Sequence, residues 1–286
     1  MDIITTASEL RQHLDRERAA GRTVGFVPTM GALHHGHRSL VQLSKQQADV
    51  TVVSIFVNPT QFGANEDFDC YPRTIEADTE LLKEDEVDVL FLPDRSEIYP
   101  AGHATTIHVA GVTEGFEGAI RPGHFDGVAT VVAILFGMVG PDLAFFGQKD
   151  AQQVAVIKRM VRDLGLPVRI VVGPTIRETG GLAMSSRNRY LSPEAQSQAK
   201  VLSATLERVR TAVLAGETVS AAVEGGRKLY EQGAPEGATL DYLAMVDAET
   251  FREVGSFEAI TAVRSEAVII IAARFGAVRL IDNLPV

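Results

Sequence analysis

Two hydrophobic periods alternate along the first 175 residues of the chain. The runs "TVGFVPT", "VTVVSIFVN", "VDVLFLP", "PDLAFFG" and "PVRIVVGP" are short, continuous and rich in β-branched and aromatic residues, as buried strands are. Helix-period segments separate them: from about Gly36 to Gln47, near 76 to 85, in "HFDGVATVVAILFGMV" and in "KDAQQVAVIKRMVRDLG". In the last of these, Val154, Ile157, Val161 and Leu164 make the stripe expected to be buried. Four polar clusters fall at or just after strand ends: Met30 to His37, Asn58 to Gln61, Gly147 to Gln153, and the loop after Val172.

This order of elements predicts an α/β fold, a Rossmann-like doubly wound parallel sheet covered on both faces. Open sheets of this kind hold ligands beyond the carboxyl ends of their strands, where the four clusters lie. The loop "PTIRETGGLAMSSRNRYL" then breaks the pattern, and in "SPEA" Ser192 is placed to cap a helix with Pro193 in its first turn. The remaining chain holds two helical segments (about 193 to 216 and 220 to 232), the run "TLDYLAMVD" and two strands, "AVIIIAA" and "AVRLIDN", around an "RFG" turn. The expectation is a first domain over 1–175 and a smaller C-terminal α+β domain over 176–286. The run "DVTVVSIFV" suits either a dimer-forming strand or plain core.

Composition narrows the function. Of 286 residues, 45% are apolar and 22% charged, and no run reaches the roughly 18 to 20 apolar residues of a membrane span. The N-terminus "MDIITTASELRQHLDRERAAG" is charged where a signal peptide is apolar, so a cytoplasmic protein is expected. The single cysteine, Cys70, makes neither an intrachain disulfide nor a thiolate metal cluster. A net charge of −10 opposes non-specific binding to nucleic acid, so any anionic ligand must be gripped locally.

The segment "VPTMGALHHGHRSL" offers such a grip. His34 and His37 are three apart, so at a helix start both rings project to one side, beside unpaired backbone N–H groups and the positive end of the helix dipole. Gly31 and Gly36 permit close approach of the backbone, and Pro28 stiffens the strand exit. A metal pair and plain surface histidines are the other readings. Zinc would want a third ligand, and the two-histidine helix motif needs a spacing of four with an adjacent Glu. In "GQKDAQQ", Gly147 allows close approach, Lys149 is a compact cation near a helix start, and Gln153 lies one turn on along the same face. "GLAMSSRN" places two hydroxyls and a guanidinium after Gly-Gly, as suits a mobile loop closing on phosphate. Asn58 and Gln61 in "NPTQFG", and Glu117, Arg121 and His124 in "EGAIRPGHF", are either ligand groups or ordinary turn residues.

Together and in this order, "PTMGALHxGH", "SIFVNPTQFG", "DFDxYPR", "RPGHFxGVATVV", "FFGxKDxQQ" and "GLAMSSRNxYLS" resemble the pantoate–β-alanine ligase (pantothenate synthetase) family, within the HIGH-type nucleotidyltransferases. The resemblance is strongest from 24 to 192. It implies an ATP-dependent ligase that joins pantoate to β-alanine through a pantoyl adenylate, releasing pyrophosphate and AMP. A carboxylate resists attack by an amine, so activation as a mixed anhydride is chemically required in any case.

By the same resemblance Met30, Gly31, Ala32, Leu33, His34, His35, Gly36 and His37 hold ATP, as do Gly147, Gln148, Lys149, Asp150, Ile176, Met184, Ser185, Ser186 and Arg187. His37 is the implied proton donor, with His34, Lys149 and Arg187 as its catalytic companions. Gln61 and Gln153 are implied for pantoate, and Gln61 also for β-alanine. Magnesium is expected with ATP and has no assigned protein ligand, Asp78 being a bare candidate. A homodimer is implied, with the C-terminal domain as a lid, and neither a nucleic-acid nor a membrane partner. The chain departs from the family at His35 (usually Glu), Arg38 (Leu), Gln148 (Glu) and Ala151 (Tyr). The exchanges at 35 and 148 remove negative charge near the expected phosphates, and an imidazole at 35 predicts tighter ATP binding on mild acidification. The rivals are a nucleotidyltransferase acting on another acid and a catalytically silent nucleotide-binding protein.

Overall fold

The strand–helix alternation starts earlier than the hydrophobic pattern announces. In the computed structural model, which describes residues 1–63, 66, 68–256 and 266–286, a short strand β1 (Asp2–Ile4) and helix α1 (Ala7–Ala19) come first. Thr6 caps α1 by accepting from Glu9 N, but only Leu10 and Leu14 of the helix are buried. Two buried leucines among so many charges leave little periodicity to detect.

Next come β2 (Val24–Thr29), α2 (His35–Gln47), β3 (Val50–Ile55), α3 (Ile75–Glu84), β4 (Val89–Phe91) and the short helices α4 (Arg95–Ile98) and α5 (Glu117–Ile120). They are succeeded by α6 (His124–Val139), β5 (Leu143–Gly147), α7 (Ala151–Leu164) and β6 (Arg169–Gly173). The six strands form one parallel sheet in the order β1-β4-β3-β2-β5-β6. From β2 the chain winds outward through β3 and β4 towards the edge strand β1, then returns to β2's other side through β5 and β6. A crevice therefore opens outside the carboxyl ends of β2 and β5, where the winding reverses. Strand β3 is buried along its length and hydrogen-bonded on both sides, to β2 and β4, so the strand within "DVTVVSIFV" is interior core and offers no edge to a dimer partner. On α7 the buried stripe runs through Ala151, Val154, Ile157 and Met160; contrary to expectation, Leu164 is 54% exposed, in the last turn before the chain leaves for β6.

Beyond β6 lie α8 (Pro193–Gln198), α9 (Val201–Leu214), α10 (Val219–Gly233), β7 (Thr239–Asp247), β8 (Ala267–Phe275) and β9 (Val278–Pro285). The helix expected over 193–216 is two pieces joined by a tighter turn, in which Leu202 N bonds the Ala199 carbonyl three residues back. Strands β7, β8 and β9 make an antiparallel sheet. Leu202, Leu206 and Val209 of α9 share a core with Leu243, Met245, Ile269 and Ile271 of the sheet. The chain divides into two compact units: Met1–Gly147 with Val156–Gly173, and Gln148–Ala155 with Pro174–Val286.

Candidate active site

In the first unit the histidine turn is built from strained backbone and one buried carboxylate. Gly31 and Ala32, just past β2, both take left-handed angles, with φ of 82° and 51°. A Cβ at Gly31 would lie 3.0 Å from Ile55 Cγ2 and 3.1 Å from Asp78 Oδ2, so glycine is required for both space and backbone angle. The turn aims two successive N–H groups at Asp78: Ala32 N donates to Oδ2 and Leu33 N to Oδ1, each at 2.8 Å. Thr74 Oγ1 adds a third bond at 3.1 Å. Asp78 is 2% exposed, and a carboxylate buried that deeply needs such donors. Both of its oxygens serve the turn, which explains its presence without a metal.

The next helix is capped by histidines. His34 is the N-cap of α2; its Nδ1 accepts from Gly36 N at 3.1 Å, while His37 Nδ1 accepts from His34 N at 3.3 Å. The two rings lie 4.1 Å apart. This is a capping box made of imidazoles in place of Ser and Glu. Each Nδ1 is an acceptor, so in the neutral rings the hydrogen sits on Nε2, and both histidines carry an Nε2–H donor at the start of α2. His35 is exposed. Arg38 forms a bidentate pair with the buried Asp85, at 2.7 and 2.6 Å, which ties α2 to the end of α3.

Gln61 reaches the same turn: its Nε2 lies 3.0 Å from Met30 Sδ. A chain of buried groups holds it there. Asn58 Nδ2 donates to Gln61 Oε1 at 3.2 Å and to the Gly127 carbonyl at 3.1 Å, while Asn58 Oδ1 accepts from Tyr99 Oη and Thr60 Oγ1. Helix α6 approaches so closely that a Cβ at Gly127 would be 2.5 Å from the Thr60 carbonyl oxygen. His124 Nδ1 lies 2.8 Å from the Gln61 carbonyl, and Arg121 Nη1 lies 3.0 Å from His124 Nε2. Arg121 in turn grips Glu66 at 2.7 Å through two nitrogens. Burial, reinforced by the Arg121 charge, lowers the His124 pKa to about 4. The neutral ring therefore donates from Nδ1 to Gln61 and accepts from Arg121 at Nε2. Arg121's hydrogen bonds hold the Glu66 carboxyl below its usual range. Glu117 is also buried, close enough to His124 for its charge to favour the protonated ring. Asn58, Arg121 and His124 thus support Gln61 through contacts within the protein.

In the second unit, Gln148–Asp150 form a single 3-10 turn leading into α7, with Lys149 Nζ 3.4 Å from Asp150 Oδ1. Gln153 comes next, half-buried, in the first turn of α7. Ile176 and Met184 are brought together by a tight hairpin: Met184 N donates to the Ile176 carbonyl at 2.9 Å, and Glu178 N to that of Leu182 at 2.8 Å. Gly180 and Gly181, with φ of 104° and 99°, make its tip. The segment expected to be a mobile loop carries further hydrogen bonds. Asn188 Nδ2 bonds Glu178 Oε1 and the Ala183 carbonyl, and Ser185 Oγ caps the 3-10 turn Ser186–Tyr190 by accepting from Arg187 N.

Two residues absent from every sequence motif complete this region. Asp282 and Asn283 of β9 are each 3% exposed. Asp282 takes both terminal nitrogens of Arg177, at 2.6 and 3.0 Å. Burial pushes the Asp282 carboxyl up, opposed by its bonds to Arg177 and by the Lys149 charge. Asn283 Nδ2 donates to the carbonyls of Gln148 and Lys149, and its Oδ1 accepts from Gln148 Nε2. A glutamate at 148 would have no hydrogen for that last bond, so the departure Gln148 is used structurally. The signal was present in "RLIDNLP": a strand that is polar at two successive positions cannot expose both faces of a covered sheet.

The family model for pantoate-beta-alanine ligase matches residues 2–285. This chain belongs to that family. A pantothenate synthetase of Acidobacterium capsulatum is 53% identical over 268 residues, covering 92% of this chain and 86% of that one. Another, of Acetivibrio thermocellus, is 47% identical and covers 99% of both chains. Among solved structures, the pantothenate synthetase of Thermus thermophilus superposes with a TM-score of 0.92 at 48% identity, covering 99% of both chains. The pantoate–β-alanine ligase of Francisella tularensis, complexed with "Beta-gamma ATP and Beta-alanine", gives 0.78 at 34% identity, covering 99% of this chain and 97% of that one. The pantoate–β-alanine ligase family assignment makes this chain an enzyme that joins pantoate to β-alanine, on the α/β sheet and small antiparallel domain seen in its relatives.

Proposed function

We propose that the ligation runs through a pantoyl adenylate formed from ATP at the histidine turn and the lysine turn. The pantoate carboxylate attacks the α-phosphorus, the bond to the β-phosphate oxygen breaks, and pyrophosphate leaves. The β-alanine amine then adds to the acyl carbon and AMP departs with the mixed-anhydride oxygen. Neither step asks for a nucleophilic side chain; both ask for alignment and for donors where negative charge develops.

The observation that carries this reading is the imidazole capping box, which makes Nε2–H donors of His34 and His37 at a helix N-terminus. In this reading Met30–His37 cradle the nucleotide, with His37 donating its proton towards the departing phosphate. Gly147–Asp150, Ile176 and Met184–Arg187 complete the nucleotide contacts, and Lys149, Ser185, Ser186 and Arg187 stabilise charge on the α-phosphate and pyrophosphate. Gln61 and Gln153 bind pantoate, since an amide offers a donor and an acceptor to carboxylate and hydroxyl alike, and Gln61 also borders β-alanine. The ATP and β-alanine of the Francisella tularensis complex support the same substrates here. Magnesium enters with ATP, held by phosphate oxygens and water as this small hard ion prefers. Family resemblance supports a cytoplasmic homodimer and the functional division at 175/176.

The test is pyrophosphate release with ATP, magnesium and pantoate, with and without β-alanine, for the wild type and His37→Ala. Sustained release that needs β-alanine and is largely lost in the variant is the expected result. ATP binding with no release in the presence of pantoate would overturn the reading.

A further inference from the structure

The last strand of the protein ties together segments that no sequence motif connects. Asn283 uses its whole side-chain amide: Nδ2 donates to Gln148 O at 2.9 Å and Lys149 O at 2.8 Å, and Oδ1 accepts from Gln148 Nε2 at 3.0 Å. Its neighbour Asp282 binds Arg177, and Arg177 also donates to the carbonyls of Gly181, at 2.8 Å, and Asn283, at 3.2 Å. Asp282 Oδ1 in addition accepts from Asn283 N at 2.7 Å. One buried network therefore joins the 148–149 turn, the residue after Ile176 and the tip of the hairpin that carries Met184.

A single 3-10 turn has poor hydrogen-bond geometry and little rigidity of its own. Two peptide carbonyls pinned by one buried amide fix the planes on either side of the Lys149 Cα, and with them the direction in which that side chain leaves the backbone. We propose that Asn283 is a positioning residue for Lys149, holding it through the backbone of the turn, with Asp282 and Arg177 anchoring the hairpin to the same point. The proposal rests on the proposed role of Lys149 in stabilising charge on the α-phosphate. A lysine displaced by about 1 Å loses its alignment with the transition state, an error worth up to roughly 100-fold in rate.

A double-variant cycle tests it. Asn283→Ala, Lys149→Ala and the pair are compared for kcat, for KM of ATP and pantoate, and for melting temperature. The expected result is a kcat loss of about 10- to 100-fold in Asn283→Ala with KM for pantoate little changed, and a double variant no slower than Lys149→Ala alone. Asn283→Ser, which keeps one donor, recovers part of the loss, and it replaces alanine in the cycle should Asn283→Ala fail to fold. The same fractional loss in both backgrounds, or no loss from Asn283→Ala, overturns the positioning role while leaving Lys149 in place. A Lys149→Ala enzyme with unimpaired kcat overturns the reading of Lys149 itself and the positioning proposal with it.

Discussion

The histidine turn of the first unit is held by a carboxylate 46 positions along the chain, the lysine turn of the second by an amide 134 positions away. The first is otherwise held locally: left-handed backbone at Gly31 and Ala32, reciprocal imidazole caps and Asp78 fix the turn. The second is a weak turn whose geometry is imposed from outside, by a strand belonging to the C-terminal sheet. With Lys149 in its proposed role, the difference gives a C-terminal domain with little motif character of its own a bearing on the chemistry: it supplies the frame for a lysine that the chain reaches much earlier.

Substitutions at the two anchors sharpen this contrast. Asp78→Ala should have the largest effect, because it strands the buried N–H groups of Ala32 and Leu33 together with the Thr74 hydroxyl. A loss of about 4 kcal/mol in unfolding free energy is expected, readable in urea denaturation, together with loss of ATP binding. Asp282→Ala leaves Arg177 without its carboxylate and should cost about 3 kcal/mol. Its ATP binding should fall far less than that of Asp78→Ala, since the histidine turn is untouched; equal losses would break the distinction between the two turns.

Acid offers a probe of the support of Gln61 in the first unit. The folded His124 ring binds a proton less readily than the unfolded one, with a pKa near 4 against 6.5. Stability from this group is full above about pH 6.5 and falls as pH drops towards 4, by about 3 kcal/mol in all. Glu66, held low by Arg121, adds to the loss in the same direction. In His124→Asn the pH dependence over that interval should flatten, and a curve as steep as the wild type's would count against the relay to Gln61. The smallest effect expected is at the exposed His35, where His35→Gln should change the ATP dissociation constant by no more than a few-fold.

Much of the first unit was legible in the sequence because its determinants are local. Strand runs, helix periods and the polar clusters at strand ends all rest on neighbouring residues, and the histidine pair is spaced by helical geometry. Helix α1 escaped because only Leu10 and Leu14 report its buried face. The roles of Asn58, Arg121 and His124 stayed open between ligand and support because identical side chains serve both, and only their partners decide. The run "RLIDNLP" marks Asp282 and Asn283 as polar residues in a strand, but their partners were unreadable: the residues they hold lie more than 100 positions away, and nothing in a single sequence records such a pairing.

The most direct test of the chemistry is exchange of labelled pyrophosphate into ATP with pantoate present and β-alanine left out. An adenylate formed reversibly before the amine arrives predicts pantoate-dependent exchange, absent without pantoate and strongly reduced in His37→Ala and Lys149→Ala. Exchange that appears only when β-alanine is added would contradict the account, because it would mean that no acyl adenylate forms ahead of the amine.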